Sequence, residues 1–220
     1  MALKLYYHPL SSFCWKALIA LYENDTPFEP ILVDLQDPAE RDKFLKIWPI
    51  GKFPVIVDGN RDDWLVPESS IIIEYLSRYY PGRTKLVPDD PDLARQARMG
   101  DRFYDLNVHI HMQKVMGDRR RPDGQHDPYG VDHARGQIRT AFAMLDEHIA
   151  DKAWGMGADF SMVDCAAAPA LFYGSMAVPF DGKFNNVAAY LERLKQRPSV
   201  ARVLKEAAPY LSMVPKAKAG

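Results

Sequence analysis

The sequence predicts a two-domain protein in which an α/β domain is followed by an all-α domain. Strand and helix patterns alternate over residues 1–82. Residues 83–91 are rich in proline and aspartate, which indicates a linker. Residues 92–220 show helical periodicity without further strand alternation, and therefore predict a helical domain.

Each element of the first domain follows from its local pattern. Strands are predicted at residues 3–7, 28–34, 55–57 and 64–66, and helices at 13–23, 38–47 and 69–79. The turn at residues 58–61 joins the last two strands as a hairpin, and Pro81-Gly82 stops the last helix. A βαβ unit, a hairpin and a closing helix together form a thioredoxin-like arrangement.

The second domain is predicted to contain helices at residues 92–115, 132–150, 161–176 and 187–196. Ser161 and Asp164 have the spacing of a capping box, with Asp in place of the usual Glu, and predict the start of the third of these helices. Between the first two helices lies a polar loop, residues 117–130, with three successive arginines. We expect these arginines to be a solvated surface run.

Composition excludes several classes of protein. The formal net charge is −1, so nothing indicates a nucleic acid or an anionic membrane as a partner. No apolar run reaches the roughly 18 residues of a membrane helix, and residues 1–7 read as a strand rather than a signal peptide. Cys14 and Cys165 provide no disulfide framework. These features predict a cytoplasmic protein.

The turn after the first strand contains the strongest candidate residues. Ser11 and Ser12 stand where an amphipathic helix begins directly after a strand. A helix start offers unpaired N–H groups and a partial positive charge, which stabilise an anion or a thiolate. Serine is also a common helix cap without any further role, so the turn alone permits either interpretation.

Two later segments give this turn a context. Pro54 lies at the entrance to an apolar strand, and Glu68-Ser69 begins another helix. A serine turn, a proline loop and a Glu-Ser helix start, in that order, resemble the N-terminal domain of the glutathione transferase family. The resemblance extends over essentially the whole chain, including the helical half. It implies glutathione as co-substrate, a small-molecule electrophile as second substrate, and a homodimer.

The resemblance also implies a set of glutathione contacts. The γ-glutamyl carboxylate is expected at Ser69, and its ammonium beside Glu68. The cysteinyl backbone is expected to pair with Phe53, next to a cis peptide bond at Pro54. Lys52 is the local candidate for the glycine carboxylate.

Three side chains compete for the thiol. Ser11 matches the position of the hydroxyl in the serine classes of the family, and we favour it as the catalytic residue. Tyr7 matches the tyrosine classes and is also a candidate for the substrate pocket. Cys14 matches the second, non-reactive cysteine of the omega-class turn. We expect Ser12 to be the natural helix cap and to lie among the glutathione-binding residues, although a shift of register would exchange its role with that of Ser11.

The helical domain is expected to provide the electrophile pocket. Tyr104, Val108, His111 and Val115 recur at helical spacing and share one face, so Tyr104, Val108 and His111 are candidates for the pocket wall. The same pattern also fits an ordinary inter-helix core. His109 and His111 are two residues apart and do not face one way on a helix. With no phosphate-binding loop or metal-ligand motif, we expect neither nucleotide nor metal.

The sequence thus predicts a glutathione transferase that activates the thiol as thiolate and adds it to a small electrophile. A glutathione-dependent isomerase of the maleylacetoacetate type is an alternative, supported by Ser11-Ser12 and Trp15-Lys16. A non-catalytic binding protein with the transferase fold, like the stringent-starvation proteins, is another. This non-catalytic alternative is disfavoured by the presence of Glu68, Ser69 and Pro54.

Overall fold

The computed structural model describes residues 3–215, and it confirms the predicted α/β domain followed by a helical domain. The first domain contains one four-stranded sheet, in the order β2-β1-β3-β4. β1 pairs in parallel with β2 and antiparallel with β3, and β3 and β4 form the predicted hairpin. The strands are β1 (Leu3–Tyr7), β2 (Phe28–Leu32), β3 (Val55–Asp58) and β4 (Trp64–Pro67).

Three helices pack on this sheet: α1 (Ser12–Glu23), α2 (Pro38–Ile47) and α3 (Ser69–Tyr79). α1 has buried residues on nearly all sides, because it lies between the sheet domain and the helical domain. The peptide bond between Phe53 and Pro54 is cis, which confirms the prediction for that bond. Cys14 and Cys165 are both free and buried.

The helical domain contains α4 (Pro91–Tyr104), a π-helical turn (Asp105–His109), α5 (Ile110–Asp118), α6 (Pro128–Ile149), α7 (Met162–Ala177), α8 (Asn185–Gln196), α9 (Pro198–Ala207) and a 3₁₀ turn (Ala208–Met213). The predicted single helix at residues 92–115 is therefore interrupted in its middle. α9 is not among the predicted helices, and it begins at a proline. Proline is favourable at the first position of a helix, where its missing N–H has no partner to lose.

α7 is the centre of the core, and its alanine-rich surface lies against α1, α4 and α8. Its start confirms the capping box: the Asp164 carboxylate accepts the Ser161 N–H at 2.8 Å and also the Gly155 N–H at 2.8 Å. The buried helix start is thus fully satisfied. Within residues 3–215, no helix is both long and apolar enough to cross a membrane. Residues 1–2 and 216–220, the outermost parts of the two predicted domains, lie outside the described residues.

Candidate active site between the two domains

A cavity of about 430 Å³ lies between the two domains; we call it the interdomain cavity. The structure brings six of the predicted site residues together on its wall: Ser11, Lys52, Phe53, Pro54, Glu68 and Ser69. Its opposite wall comes from the helical domain and includes Arg102, Asp105, Leu106, Ile110 and Gln113. Sites of this size between domains are typical of small-molecule binding.

Ser11, not Ser12, caps α1, so the cap role expected for Ser12 belongs to Ser11. The Ser11 hydroxyl oxygen accepts the Cys14 N–H at 3.3 Å, and its backbone is extended as a cap requires. Ser12 is the first helical residue and is nearly buried. Because a hydroxyl can accept and donate at once, capping does not prevent the Ser11 hydroxyl from donating to a ligand.

The other two candidates for the thiol are less well placed. Cys14 is fully buried, and this burial raises the pKa of its thiol to about 12 despite the hydrogen bond with Ser11. It is therefore a small apolar core residue rather than a nucleophile. Tyr7 lies at the end of β1 and is not on the wall of the interdomain cavity. Burial, followed by the nearby charge of Glu206, raises the pKa of its phenol.

The start of α3 is open toward the interdomain cavity. Glu68 takes the cap position with φ of 68°, a left-handed conformation that is strained for a residue with a side chain, and its carboxylate makes no capping bond. By contrast, α2 and α4 are capped by Asp37 and Asp90. Ser69, the first residue of α3, is buried on the cavity wall. The uncapped start of α3 is suited to an anion.

Behind the wall lies a buried charge cluster that no sequence pattern predicts; we call it the Lys16 cluster. The fully buried Lys16 ammonium on α1 lies 2.9 Å from Asp101 and 2.8 Å from Asp105. It also donates to Ser70 at 3.0 Å, and Ser70 donates to Asp101 at 2.5 Å. His109 completes the cluster, with its Nδ1 3.4 Å from Asp105. The cluster joins α1, α3 and the π-helical turn across the domain boundary.

The Lys16 cluster fixes the charge of Asp105 on the cavity wall. Burial alone would raise the pKa of the Asp105 carboxyl, but hydrogen bonding from His109 and the Lys16 charge outweigh burial and hold it below its usual value. Burial and the neighbouring Asp105 charge raise the pKa of Asp101, against the opposing effect of Lys16. Burial lowers the pKa of His109, so its ring is neutral at pH 7.

A smaller cavity of about 240 Å³ adjoins the first; we call it the adjoining cavity. The two share Ser11 and Gln113, so Ser11 lies at their junction. The remaining wall of the adjoining cavity comes from both domains and includes two residues that follow the 3₁₀ turn. Its residues are Leu10, Ser12, Met112, Met116, Gly117, Arg120, Tyr173, Val214 and Pro215.

The residues predicted for the electrophile pocket do not line either cavity at Ser11. Tyr104 is buried against the helical core and lines a separate cavity between α4 and α6. Val108 is fully buried and packs against Gly174 of α7. His111 is half-buried and lies near His133 of α6. The periodic apolar face is the one that enters the core, which is the alternative that the pattern also allowed.

The helix face that does line the cavities has a mixed composition. Leu106, Ile110, Gln113, Gly117 and Arg120 follow one another at helical spacing along the side that faces Ser11. Apolar periodicity could not identify this face, because only two of the five side chains are apolar. Among the described residues, no group of His, Cys, Asp or Glu is arranged to hold a metal ion.

Comparison with known proteins assigns the chain to a family. The N-terminal domain of the glutathione S-transferases matches residues 5–84, and their C-terminal domain matches residues 128–193. Glutathione S-transferase GstB of Escherichia coli strain K12 is 28% identical over 86% of this chain and 91% of its own length. A stringent starvation protein A homolog of Haemophilus ducreyi is 26% identical over 87% of this chain and 84% of its own length.

A solved structure of this family has a fold similar to that of this chain. It is a glutathione S-transferase from Methylobacterium radiotolerans in complex with glutathione sulfonate, which is 25% identical, superposes with a TM-score of 0.80, and covers 100% of this chain and 98% of its own. Since the two domain matches together span about two thirds of the sequence and the fold is shared throughout, this chain belongs to the glutathione S-transferase family of enzymes.

Proposed function

We propose that this enzyme binds glutathione in the interdomain cavity, activates its thiol through Ser11, and adds the thiolate to a small electrophile in the adjoining cavity. The observation that carries the proposal is the position of Ser11 at the junction of the two cavities. A thiolate held there would face both its own binding site and a second substrate.

The chemistry of the interdomain cavity suits each end of glutathione. The uncapped start of α3 at Ser69 suits the γ-glutamyl carboxylate, and the Glu68 carboxylate suits the neighbouring ammonium. Lys52 is exposed at the cavity wall and suits the glycine carboxylate, while Phe53 offers backbone groups to the cysteinyl unit. The complex of the relative with glutathione sulfonate supports a ligand of this class.

Ser11 alone accounts for thiol ionisation but only for part of the catalysis. A hydrogen bond to a charged group contributes about 1.5–3 kcal/mol, which lowers a thiol pKa by about 1–2 units. A two-unit fall from about 8.5 raises the thiolate fraction at pH 7 from ~3% to ~75%. Because nucleophilicity falls with pKa, the net gain in rate is only about threefold. Holding the electrophile beside the thiolate must therefore supply most of the acceleration.

Two substitutions test the role of Ser11. In Ser11→Ala, the ultraviolet absorbance of bound thiolate should titrate at a higher pH than in the wild-type enzyme. Tyr7→Phe should leave this titration unchanged, since Tyr7 lies off the cavity wall. The opposite ranking would identify a tyrosine-type enzyme and overturn the proposal.

A conjugation screen tests the reaction itself. Aryl halides, epoxides, isothiocyanates, hydroperoxides and maleylacetoacetate cover the main electrophile classes. Turnover of maleylacetoacetate alone would favour the isomerase, which the Ser11-Ser12 turn supports. Glutathione binding without turnover of any of them would favour a non-catalytic binding protein with the transferase fold.

We also propose a cytoplasmic homodimer. Several large apolar side chains are exposed on the single chain, among them Trp64 of β4, Met99 of α4 and Met144 of α6. Met99 and Met144 lie on the wall of one cavity between α4 and α6, and a contiguous exposed apolar patch is typical of a surface covered by another subunit. Sedimentation equilibrium should give twice the chain mass of 25.0 kDa, and a monomer at micromolar concentration would contradict the proposal.

A further inference from the structure

The three arginines after α5 are not equivalent: Arg120 and Arg121 are exposed, as expected of a solvated surface run, but Arg119 is not. Arg119 is half-buried and donates to the carbonyl oxygens of Pro215 and Met176, each at 3.0 Å. Arg121 donates to the Gln125 carbonyl at 3.2 Å and lies 3.7 Å from the Asp118 carboxylate. Within residues 3–215, the Arg120 side chain makes no hydrogen bond or ion pair.

Arg120 is instead on the wall of the adjoining cavity. It is the only charged residue among the described residues that line this cavity, and no carboxylate lies there to neutralise it. The same cavity also has apolar wall residues, among them Met112, Met116 and Val214. A guanidinium is a planar fork of N–H donors that matches a carboxylate with two parallel hydrogen bonds.

The adjoining cavity is also of a suitable size for one substituted ring. A cavity of about 150 Å³ suffices for benzene in a protein interior, and this one has about 240 Å³. The apolar walls would hold a ring, with its reactive carbon toward Ser11 and a charged substituent toward Arg120.

We infer that Arg120 selects electrophiles that carry a carboxylate on the side of the molecule opposite the reactive carbon. This inference rests on the proposed function, because it assigns a substrate class to the same site. Arg120 is a specificity-determining residue of the second substrate rather than a ligand of glutathione, whose own carboxylates have Ser69 and Lys52 in the other cavity.

A pair of ring substrates makes the inference testable: 4-chloro-3,5-dinitrobenzoate and its methyl ester. In either reaction the glutathione sulfur bonds to the ring carbon, the carbon–chlorine bond breaks, and chloride leaves with the electron pair. The thiol proton goes to solvent. The two conjugates differ only in one substituent, which is a charged carboxylate in one and a neutral methyl ester in the other, so the ratio of their dissociation constants measures recognition of the carboxylate without requiring turnover.

Calorimetric titration with each purified conjugate is the test. The wild-type enzyme should bind the carboxylate conjugate about tenfold more tightly than the ester conjugate, which corresponds to about 1.4 kcal/mol. Arg120→Gln should reduce this ratio to near one. Arg121→Gln removes the same charge from the same loop, but outside the cavity, and should keep the wild-type ratio.

The outcomes separate the two proposals. Equal affinities in the wild-type enzyme, or a ratio that survives Arg120→Gln, would overturn the role of Arg120 while leaving the proposed function intact. A loss of preference in Arg121→Gln as large as in Arg120→Gln would also overturn it, since only the overall charge would then matter. If neither conjugate binds to the wild-type enzyme, both the inference and the proposed function fail.

Discussion

Replacing Lys16 with methionine tests how the two domains are held around the interdomain cavity. The substitution keeps most of the side-chain volume but removes the ammonium that lies 2.9 Å from Asp101 and 2.8 Å from Asp105. At an effective dielectric constant of 20, each pair has a Coulomb energy of about 5–6 kcal/mol. Desolvation of the ammonium offsets much of this energy. The cost of leaving buried carboxylates without their partner is about 3–5 kcal/mol.

The predicted loss of stability depends on pH in a definite direction. In the wild-type enzyme the pKa of Asp105 is lowered, so its carboxylate stabilises the fold above the unfolded pKa of about 3.9, and this contribution is lost as pH falls. Without Lys16, the pKa of Asp101, which burial already raises, should rise further, and that of Asp105 should also rise, since only its hydrogen bond with His109 then opposes burial. The folded variant then binds more protons than the unfolded chain, and its stability falls as pH rises.

Urea unfolding of both proteins at pH 4.5 and pH 8 measures this difference. The deficit of Lys16→Met should be about 3–5 kcal/mol at pH 8 and clearly smaller at pH 4.5. Adding Asp105→Asn should recover part of it, because one unpaired charge is removed. Lys195→Met is the matched control: Lys195 pairs with Glu192 on the surface and should cost under about 1 kcal/mol. A loss below about 1 kcal/mol for Lys16→Met, or one independent of pH, would refute this reasoning.

Three further predictions follow from single positions. Glu68→Gly should leave the free energy of unfolding unchanged or higher, because relief of about 1–3 kcal/mol of backbone strain offsets the cost of about 1 kcal/mol for the greater chain entropy of glycine in the unfolded state. The affinity for glutathione, measured by calorimetry, should fall. Retained affinity would contradict the proposal that Glu68 contacts glutathione. Gly117→Leu should lower kcat/KM for aryl halides severalfold without changing glutathione affinity, because a side chain there enters the open adjoining cavity. Gly136→Leu, at an equally open position of α6 away from both cavities, is its control, and an equal loss there would contradict the assignment. Cys14 and Cys165 should react with a disulfide reagent at pH 8 only after denaturant is added, because burial raises both thiol pKa values, that of Cys14 to about 12; fast labelling of the folded enzyme would contradict this.

The half of the candidate site in the first domain could be predicted because its residues stand at ends of local elements. Ser11 follows a strand, Pro54 precedes one, and Glu68 precedes a helix. Each of these boundaries has its own sequence signal. The sheet then brings the three ends to one edge. The predicted start of α1 was wrong by one residue at the cap, which is Ser11 and not Ser12.

The half in the helical domain could not be predicted, for two physical reasons. Helical periodicity identifies the side that enters the core, as it did for Tyr104 and Val108. A cavity wall is partly exposed and mixed in polarity, so it leaves no such pattern. In addition, the π-helical turn at Asp105–His109 interrupts the helix and changes which side chains share a face.

No local sequence pattern predicts the Lys16 cluster. Lys16 and Asp105 are 89 positions apart in the chain, and each would pass for a surface charge on its own helix. Arg120 was likewise indistinguishable from Arg119 and Arg121 until the fold showed which of them faces the cavity.

The central claim is that the interdomain cavity binds glutathione and ionises its thiol. Calorimetric titration of the wild-type enzyme with glutathione at pH 7, repeated in buffers of different ionisation enthalpy, measures both parts at once. A fall in the thiol pKa from about 8.5 to about 6.5 predicts binding at millimolar affinity or tighter, with release of roughly 0.7 proton per glutathione. Absence of binding heat at high glutathione concentration, or binding without proton release, would contradict the claim.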